Sequence, residues 1–517
     1  MHSSSTLTGK PAPIQEVALY DEGRNLGRGR WFESALFISF LLFVLTIPHL
    51  VFIARYIFWA MALIWALKIV VVDRRIERHS LLVPLFCFLV WCDISSLFSA
   101  APSLSWQRVG WFAMLLIAVI VGQEVRTVRQ IKLLVLALLL STFVGTLRTG
   151  WQYFHGIGTE LVSGQADNRP LTIPGLFSGD IIQAINGKPT RTLSQWNKAL
   201  ASSSDDPRAR LRFARGAPLS ISELTVSRKE LDDWLRTPGN FVRKGTPVRA
   251  QGHFYHYIPY AGQLLIIALL AWGLWLTSGK VRSPLTLLYG VVFFAVVLAL
   301  WATVTRAYLI SLIVSCFAVI SIATTRRTRR ISVVVSLLVL VGATIWIERE
   351  RKMGWIAMND PGTQFRLLMW KDAPRLIRTH PVFGIGLDSI FIKGREWNLE
   401  AYKKYPLVSH FHSTYIQMAV DTGVPGLAIW LWLMAVHLLL LIRLIRKTRS
   451  AGYFEYGMAL GAFGAALAFM LSSFIHYVLG DGEVMAVMWF LMGITIALER
   501  MIAREPSLGL TRGVSKP

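Results

Sequence analysis

Residues 285–330 read LTLLYGVVFFAVVLALWATVTRAYLISLIVSCFAVISIATTRRTRR. An apolar run, Leu285 to Ala302, meets the tight junction Thr303-Val304-Thr305-Arg306. A second run continues to Thr324 and stops at Arg326, Arg327, Arg329 and Arg330. A run of about 20 apolar residues matches the hydrocarbon thickness of a bilayer as a helix. Only a helix or a closed barrel satisfies its backbone there. The arginine block marks the cytoplasmic end of the second run.

The same unit recurs in both directions. Of the 517 residues, 54% are hydrophobic and only 16% charged, too few charges for a soluble chain of that length. Trp31 to Val72 accommodates two short spans joined near Pro48-His49. Further spans are Leu81–Phe98, a fourth centred on Trp111–Val121, Leu133–Thr149 and Tyr257–Trp275. After the quoted pair come Ile331–Ile347, Leu427–Leu441, Tyr456–Val478 and Val484–Leu498. The expected fold is an all-α polytopic membrane protein of about twelve transmembrane helices, with a small α+β insert in one loop. Residues 1–30 form a cytoplasmic tail, without the apolar core and cleavage site of a signal peptide. Helices 1–5 fall within 31–150, an insert within 151–256, helices 6–9 within 257–347, a large polar loop within 348–423, helices 10–12 within 424–500, and a second tail within 501–517.

Charge checks this count. With the N-terminus inside and twelve crossings, the basic clusters at 74–78, 126–132, 280–282, 326–330, 443–449 and 500–504 all fall inside, and both polar insertions fall outside. In a bacterium this places the chain in the inner membrane, with both termini cytoplasmic and both large loops periplasmic. The net charge of +24 is thereby accounted for. No soluble basic domain with interleaved aromatics is present, so nucleic acid is not an expected partner. Cys87, Cys92 and Cys316 lie inside apolar runs and show neither metal spacing nor a disulfide framework.

In the first insert, residues 174–228 read as a soluble module. Gly179-Asp180 precedes an alternating strand, Ile181 to Ile185; Asn186-Gly187 is a hairpin signal. Leu193 to Leu200 has helical spacing, and LRFAR and LSISELTVS read as two further strands. Gly175, Leu176, Gly179, Asp180, Ile182, Ile185, Asn186 and Gly187 match the GL-x-x-GD-x-I-x-x-I-N-G signature, so this segment resembles the bacterial PDZ domain. That implies docking of a peptide or protein partner by strand addition; a spacer packed on the membrane core is the alternative. Arg249, at the mouth of the sixth span, reads either as a snorkelling anchor or as a guanidinium clamp on phosphate.

The second insertion concentrates the titratable chemistry. Thr363 to Arg378 has Phe365, Leu368, Met369, Leu376 and Ile377 at helical spacing, a helix at the membrane surface. Thr379-His380-Pro381 ends it. Gly384-Ile385-Gly386 has Ser389 where a nucleotide loop needs a third glycine, and no preceding strand. His410 and His412 lack the cysteines or the His-x-x-x-His spacing of a zinc site. They read either as structural histidines at a helix start or as a general base near neutrality.

HPVFGIGLDSI, followed by HSTYIQMAVDTGVPGLAIWL, resembles the signature of the O-antigen ligase and polymerase superfamily. His412, Tyr415, Gln417, Gly423, Pro425 and Gly426 match in order; Asp421 stands where the family often has Glu, and Ser413 replaces the usual Asn. Thr303, Thr305 and Arg306 match a hydroxyl-rich turn ending in arginine. The resemblance implies a metal-independent inverting glycosyltransferase, without cofactor, that moves a glycan from undecaprenyl pyrophosphate to an acceptor hydroxyl at the periplasmic face. The acceptor is the lipid A core of lipopolysaccharide for a ligase, another lipid-linked repeat for a polymerase, or a protein for an O-glycosyltransferase. It casts His412 as catalytic base and Arg249, Arg366 and Arg306 as ligands of the donor pyrophosphate, with His410, Tyr415 and Asp421 in support. A transporter of polysaccharide or lipid-linked glycan is the alternative from another class. It would hold its polar groups near the bilayer midplane.

Overall fold

A computed structural model describes residues 14–155, 158–162, 171–190, 192–202, 206–215, 220–245, 250–254, 256–278, 283–324, 342, 361–404, 410–450 and 452–504. Among these, ten helices are long and apolar enough to cross a membrane, and Leu82–Leu97 is a shorter apolar helix. The architecture is a mostly helical, polytopic membrane bundle. The expected span at 331–347 lies outside the described residues.

In chain order the first half of the bundle is α1 (Ile14–Thr46), α2 (Val51–Lys68, prolonged by a π-turn to Asp73), α3 (Leu82–Leu97), α4 (Pro102–Phe112), α5 (Leu116–Glu124) and α6 (Val128–His155). A 3-10 turn, Ala113–Leu115, joins α4 to α5, so the fourth crossing, centred by sequence on Trp111–Val121, runs from Pro102 to Glu124. Proline at the first helical position explains the early start, since the amide hydrogen it lacks would be unpaired there in any case.

The insert is an open antiparallel sheet. Its strands are β1 (Gly158–Val162), β2 (Ile181–Ile185), β3 (Lys188–Pro189), β4 (Arg208–Arg215), β5 (Ser220–Ser227) and β6 (Phe241–Gly245), with α7 (Leu193–Ala201) and α8 (Arg228–Arg236) beside them. The order is β5-β4-β2-β1-β6, with β3 paired to β2 alone. Ile182, Ile185, Trp196, Leu211, Leu231 and Trp234 fill its core. Asn186 and Gly187 both have positive φ, 49° and 80°, as a type I′ hairpin turn requires. Buried Asp180 accepts from the Phe177 amide at 2.8 Å, closing the turn before β2. The module exceeds the expected 174–228 at both ends. β1 sits between β2 and β6, so the sheet is incomplete without residues 158–162 and 241–245.

The second half of the bundle is α9 (Tyr257–Thr277), α10 (Pro284–Ala302) and α11 (Arg306–Ala323), then three helices of the polar loop, α12 (Pro361–Thr379), α13 (Ile390–Lys393) and α14 (Glu400–Lys404). The chain closes with α15 (Thr414–Thr448), α16 (Tyr453–Ser472) and α17 (Gly482–Arg504). The Ser283 hydroxyl caps α10 by accepting from the Thr286 amide at 3.2 Å. The helix's 19 residues make about 28 Å at 1.5 Å per residue, close to the bilayer core. α9 and α17 are the bundle's interior, 83% of each span being buried. A side chain at Gly273 of α9 would collide with the backbone of Gly457 and Gly461 on α16, so these helices touch backbone to backbone, the approach that drives helix association in lipid.

The two ends of the bundle differ in chemistry. One end carries an ionic network. Buried Lys68 bonds Glu124 at 2.6 Å and Asp73 at 3.0 Å. Arg126 pairs with Glu33 at 2.6 Å, and Arg500 and Arg504 both pair with Glu77. The other end, where α9, α11, α15 and α17 begin and α16 finishes, gathers His256, His410, His412 and His476.

Candidate active site

The site is built on the entry to α15. This helix is interrupted at Gly423, whose φ of 73° and ψ of 177° are not helical. A methyl group at Gly423 would overlap the Val382 carbonyl, and one at Gly384 (φ 69°) would overlap the Asp421 carbonyl. The two glycines let the 381–387 turn lie directly on the helix break. The Ile385 amide donates to Val420 O and the Gly386 amide to Asp421 O, both at 2.9 Å, and the Val424 amide donates to Pro381 O at 2.9 Å. From α3, the Ser95 hydroxyl donates to Phe383 O at 2.8 Å, and the Trp91 indole donates to Thr422 O at 2.9 Å. The Gly-Ile-Gly turn is therefore a packing device.

This frame fixes the segment 410–414. The Gln417 side chain accepts from the Phe411 amide at 2.7 Å and donates to the fully buried Asp421 carboxylate at 2.9 Å. The Trp370 indole of α12 donates to Phe411 O at 2.8 Å. The Thr414 amide donates to Ser473 O at 2.8 Å, and its hydroxyl to His476 O at 2.9 Å. His412 itself has φ 52°, a left-handed conformation uncommon outside glycine.

Around His412 the ring of His410 lies 4.0 Å away and that of Phe365 5.3 Å away, both edge-on. The His412 amide donates to His410 Nδ1 at 3.2 Å, so neutral His410 carries its proton on Nε2. His256, one residue before α9, accepts from the Ile258 amide through Nδ1 at 3.1 Å. His476 stacks on Tyr308 of α11 at 4.6 Å. Burial, then the neighbouring His410, Arg366, His476 and His256, hold the proton affinity of His412 far below the ordinary imidazole range. Burial first, then Arg108, Arg366 and His256, lower His410 to about 4. Both rings are neutral at physiological pH; the His410 lone pair is taken by the His412 amide, which leaves His412 as the ring to accept a proton. His412 Nδ1 is buried, with no hydrogen-bond partner among the described residues.

Of the residues singled out from sequence, His410, His412 and Arg366 come together. Arg306 opens α11 on the same rim, two residues before Tyr308. Arg249 lies outside the described residues. Ala250, which follows it, donates to Ala302 O at 2.9 Å, tying that segment to the turn where the Thr303 and Thr305 hydroxyls bond at 2.6 Å. Tyr415 gives its hydroxyl to Met470 O at 2.9 Å and packs on Phe474 and Trp430. It holds α15 to α16. Asp421 supports the loop through Gln417. Ser413 sends its hydroxyl to Ser473 O at 3.4 Å.

Four residues escape the sequence reading: Arg108, Asp388, His256 and His476. Arg108 grips Asp388 with two bonds, 2.6 and 3.1 Å, and donates to Gly480 O at 3.1 Å. One guanidinium thus ties α4, the 381–389 turn and the turn before α17. An arginine near the start of an apolar span was the available signal.

The O-antigen ligase family matches residues 290–431, and over that stretch the chain resembles it. The matched segment runs from α10 through the turn at Arg306, α12 with Arg366, and the His412 loop into α15. No curated protein matches the chain. Fold and match together define the class: a polytopic membrane protein with an O-antigen-ligase-like segment that carries His410 and His412 of its histidine rim.

Proposed function

We propose that the protein is a glycosyltransferase that moves a glycan from an undecaprenyl-pyrophosphate donor to an acceptor hydroxyl at the outer membrane–water boundary. The convergence of His412 with Arg366 inside the O-antigen ligase match carries this reading. The acceptor O–H gives its proton to neutral His412 as oxygen attacks the anomeric carbon. The new O–C bond forms while the bond to the pyrophosphate oxygen breaks, with inversion. The leaving group takes the negative charge, and Arg366, with Arg306 and Arg249, binds it. Burial, ahead of His410 and Arg366, disfavours protonation of His412, and a bound pyrophosphate would offset the Arg366 share. The imidazole then becomes a stronger base where and when the acceptor needs one.

Lipid A core, a second lipid-linked repeat and a protein hydroxyl all fit this chemistry. The glycan left on carrier lipid in a deletion strain separates the first two: long chains mean ligase, single repeats mean polymerase. A transporter would place its polar groups near mid-membrane; His256, His410, His412 and His476 lie at helix ends, and buried His437, inside α15, is the exception. The insert offers β5 and β6 as open edges, to which a partner strand adds in this account. The test is transfer by purified protein in nanodiscs. The product should have inverted anomeric configuration. Arg366→Ala should raise the donor concentration required, and Arg366→Lys should not restore it. Retained configuration, or an Arg366→Ala enzyme with unchanged donor dependence, would sink the proposal.

A further inference from the structure

At the opposite end of the bundle a cavity of about 550 Å³ opens between α6, α9, α10 and α16. Its composition is divided. Arg129 and Lys132 stand on one face of α6 at its start, and Leu133 and Leu136 continue that face one turn deeper. Leu285 of α10 forms the facing apolar wall and is 52% exposed, as Leu133 is 43% exposed. The Ser283 and Thr286 hydroxyls, 3.0 Å apart, sit at the mouth. Neither Arg129 nor Lys132 meets a carboxylate at ion-pair distance among the described residues. Lys132 instead lies 5.1 Å from the Phe454 ring.

We infer that this cavity binds an anionic phospholipid of the inner leaflet. Its phosphate sits between Arg129 and Lys132, and one acyl chain lies along Leu133, Leu136 and Leu285. Charge complementarity selects the occupant. Two cations without carboxylates at a groove mouth favour an anionic headgroup over a zwitterionic one, and the leucines below require a tail that a free anion lacks. The depth agrees: α6, α10 and α16 all begin here, at the end that carries the basic clusters facing anionic headgroups. The lipid would fill the gap between α6 and α16. The site is independent of the transfer chemistry at the other end.

The full chain, purified in mild detergent and mixed with equal phosphatidylglycerol and phosphatidylcholine, is examined by native mass spectrometry and thermal unfolding. Wild type should retain phosphatidylglycerol preferentially and unfold at a higher temperature with it. Arg129→Gln/Lys132→Gln should lose roughly thirtyfold in that preference, about fivefold for each cation near an anionic headgroup. Leu136→Trp, which fills the groove and keeps both cations, should lose it too and serves if the double variant does not fold. Equal retention of both lipids, or a preference unchanged in the variants, overturns the assignment. So does the same thermal shift from inorganic phosphate alone, which would make the ligand a free anion.

Discussion

His412 is held in a left-handed backbone conformation, φ 52°, by contacts from three directions: Trp370, Gln417 and the Ser473–His476 carbonyls. Strain of this kind costs on the order of 1–3 kcal/mol and persists only where the surroundings enforce it. The same crowding lowers the proton affinity of His410 to about 4 from an ordinary 6.5, so the folded state binds fewer protons than the unfolded state between those values. Stability from these rings is complete above 6.5 and falls as pH drops towards 4. Thermal unfolding followed from pH 7 to pH 4 should show that loss, and His410→Gln should flatten part of it; an identical pH profile in the variant would contradict the assignment. His412, Arg366 and the hydroxyl turn before Arg306 were legible because each lies within a short local pattern. Arg108 and Asp388 were not, because their pairing spans 280 positions. His256 and His476 each read alone as a polar residue at a helix end, and only the fold brings them to His412.

At the scale of the element, the break in α15 and the turn that fills it form one device. Gly384→Ala should fail sterically against the Asp421 carbonyl, lowering the unfolding temperature and displacing His412 together. Normal stability with normal transfer would show that the turn is not required. At the other end, Lys68→Ala should leave buried Glu124 with only Arg126, at 4.0 Å, a loss of about 3 kcal/mol, the low end for a broken buried pair. Lys68→Met/Glu124→Leu should recover most of it, as measured by unfolding in a fixed detergent. Helices were the easiest elements to read, since apolar runs of span length have few other uses. The insert's borders were not, because β1 is a five-residue strand whose partners lie far along the chain.

Across the whole molecule, the histidine rim and the ionic network occupy opposite ends of one bundle, an arrangement that suits the proposed transfer at one membrane face. In the proposed topology, positive-inside alternation puts the rim outside. A membrane-impermeant thiol reagent on intact cells permeabilised only at the outer membrane should therefore label Gln195→Cys in the insert and leave Arg446→Cys untouched; the reverse pattern would invert the topology. In the proposed function His412 carries the transfer chemistry. The most direct measurement is single-turnover glycan transfer by His412→Ala in nanodiscs at saturating donor, with donor binding measured on the same sample. Loss of a general base predicts a rate lower by roughly 10²–10⁴-fold with donor binding intact. A wild-type rate would contradict the assignment outright.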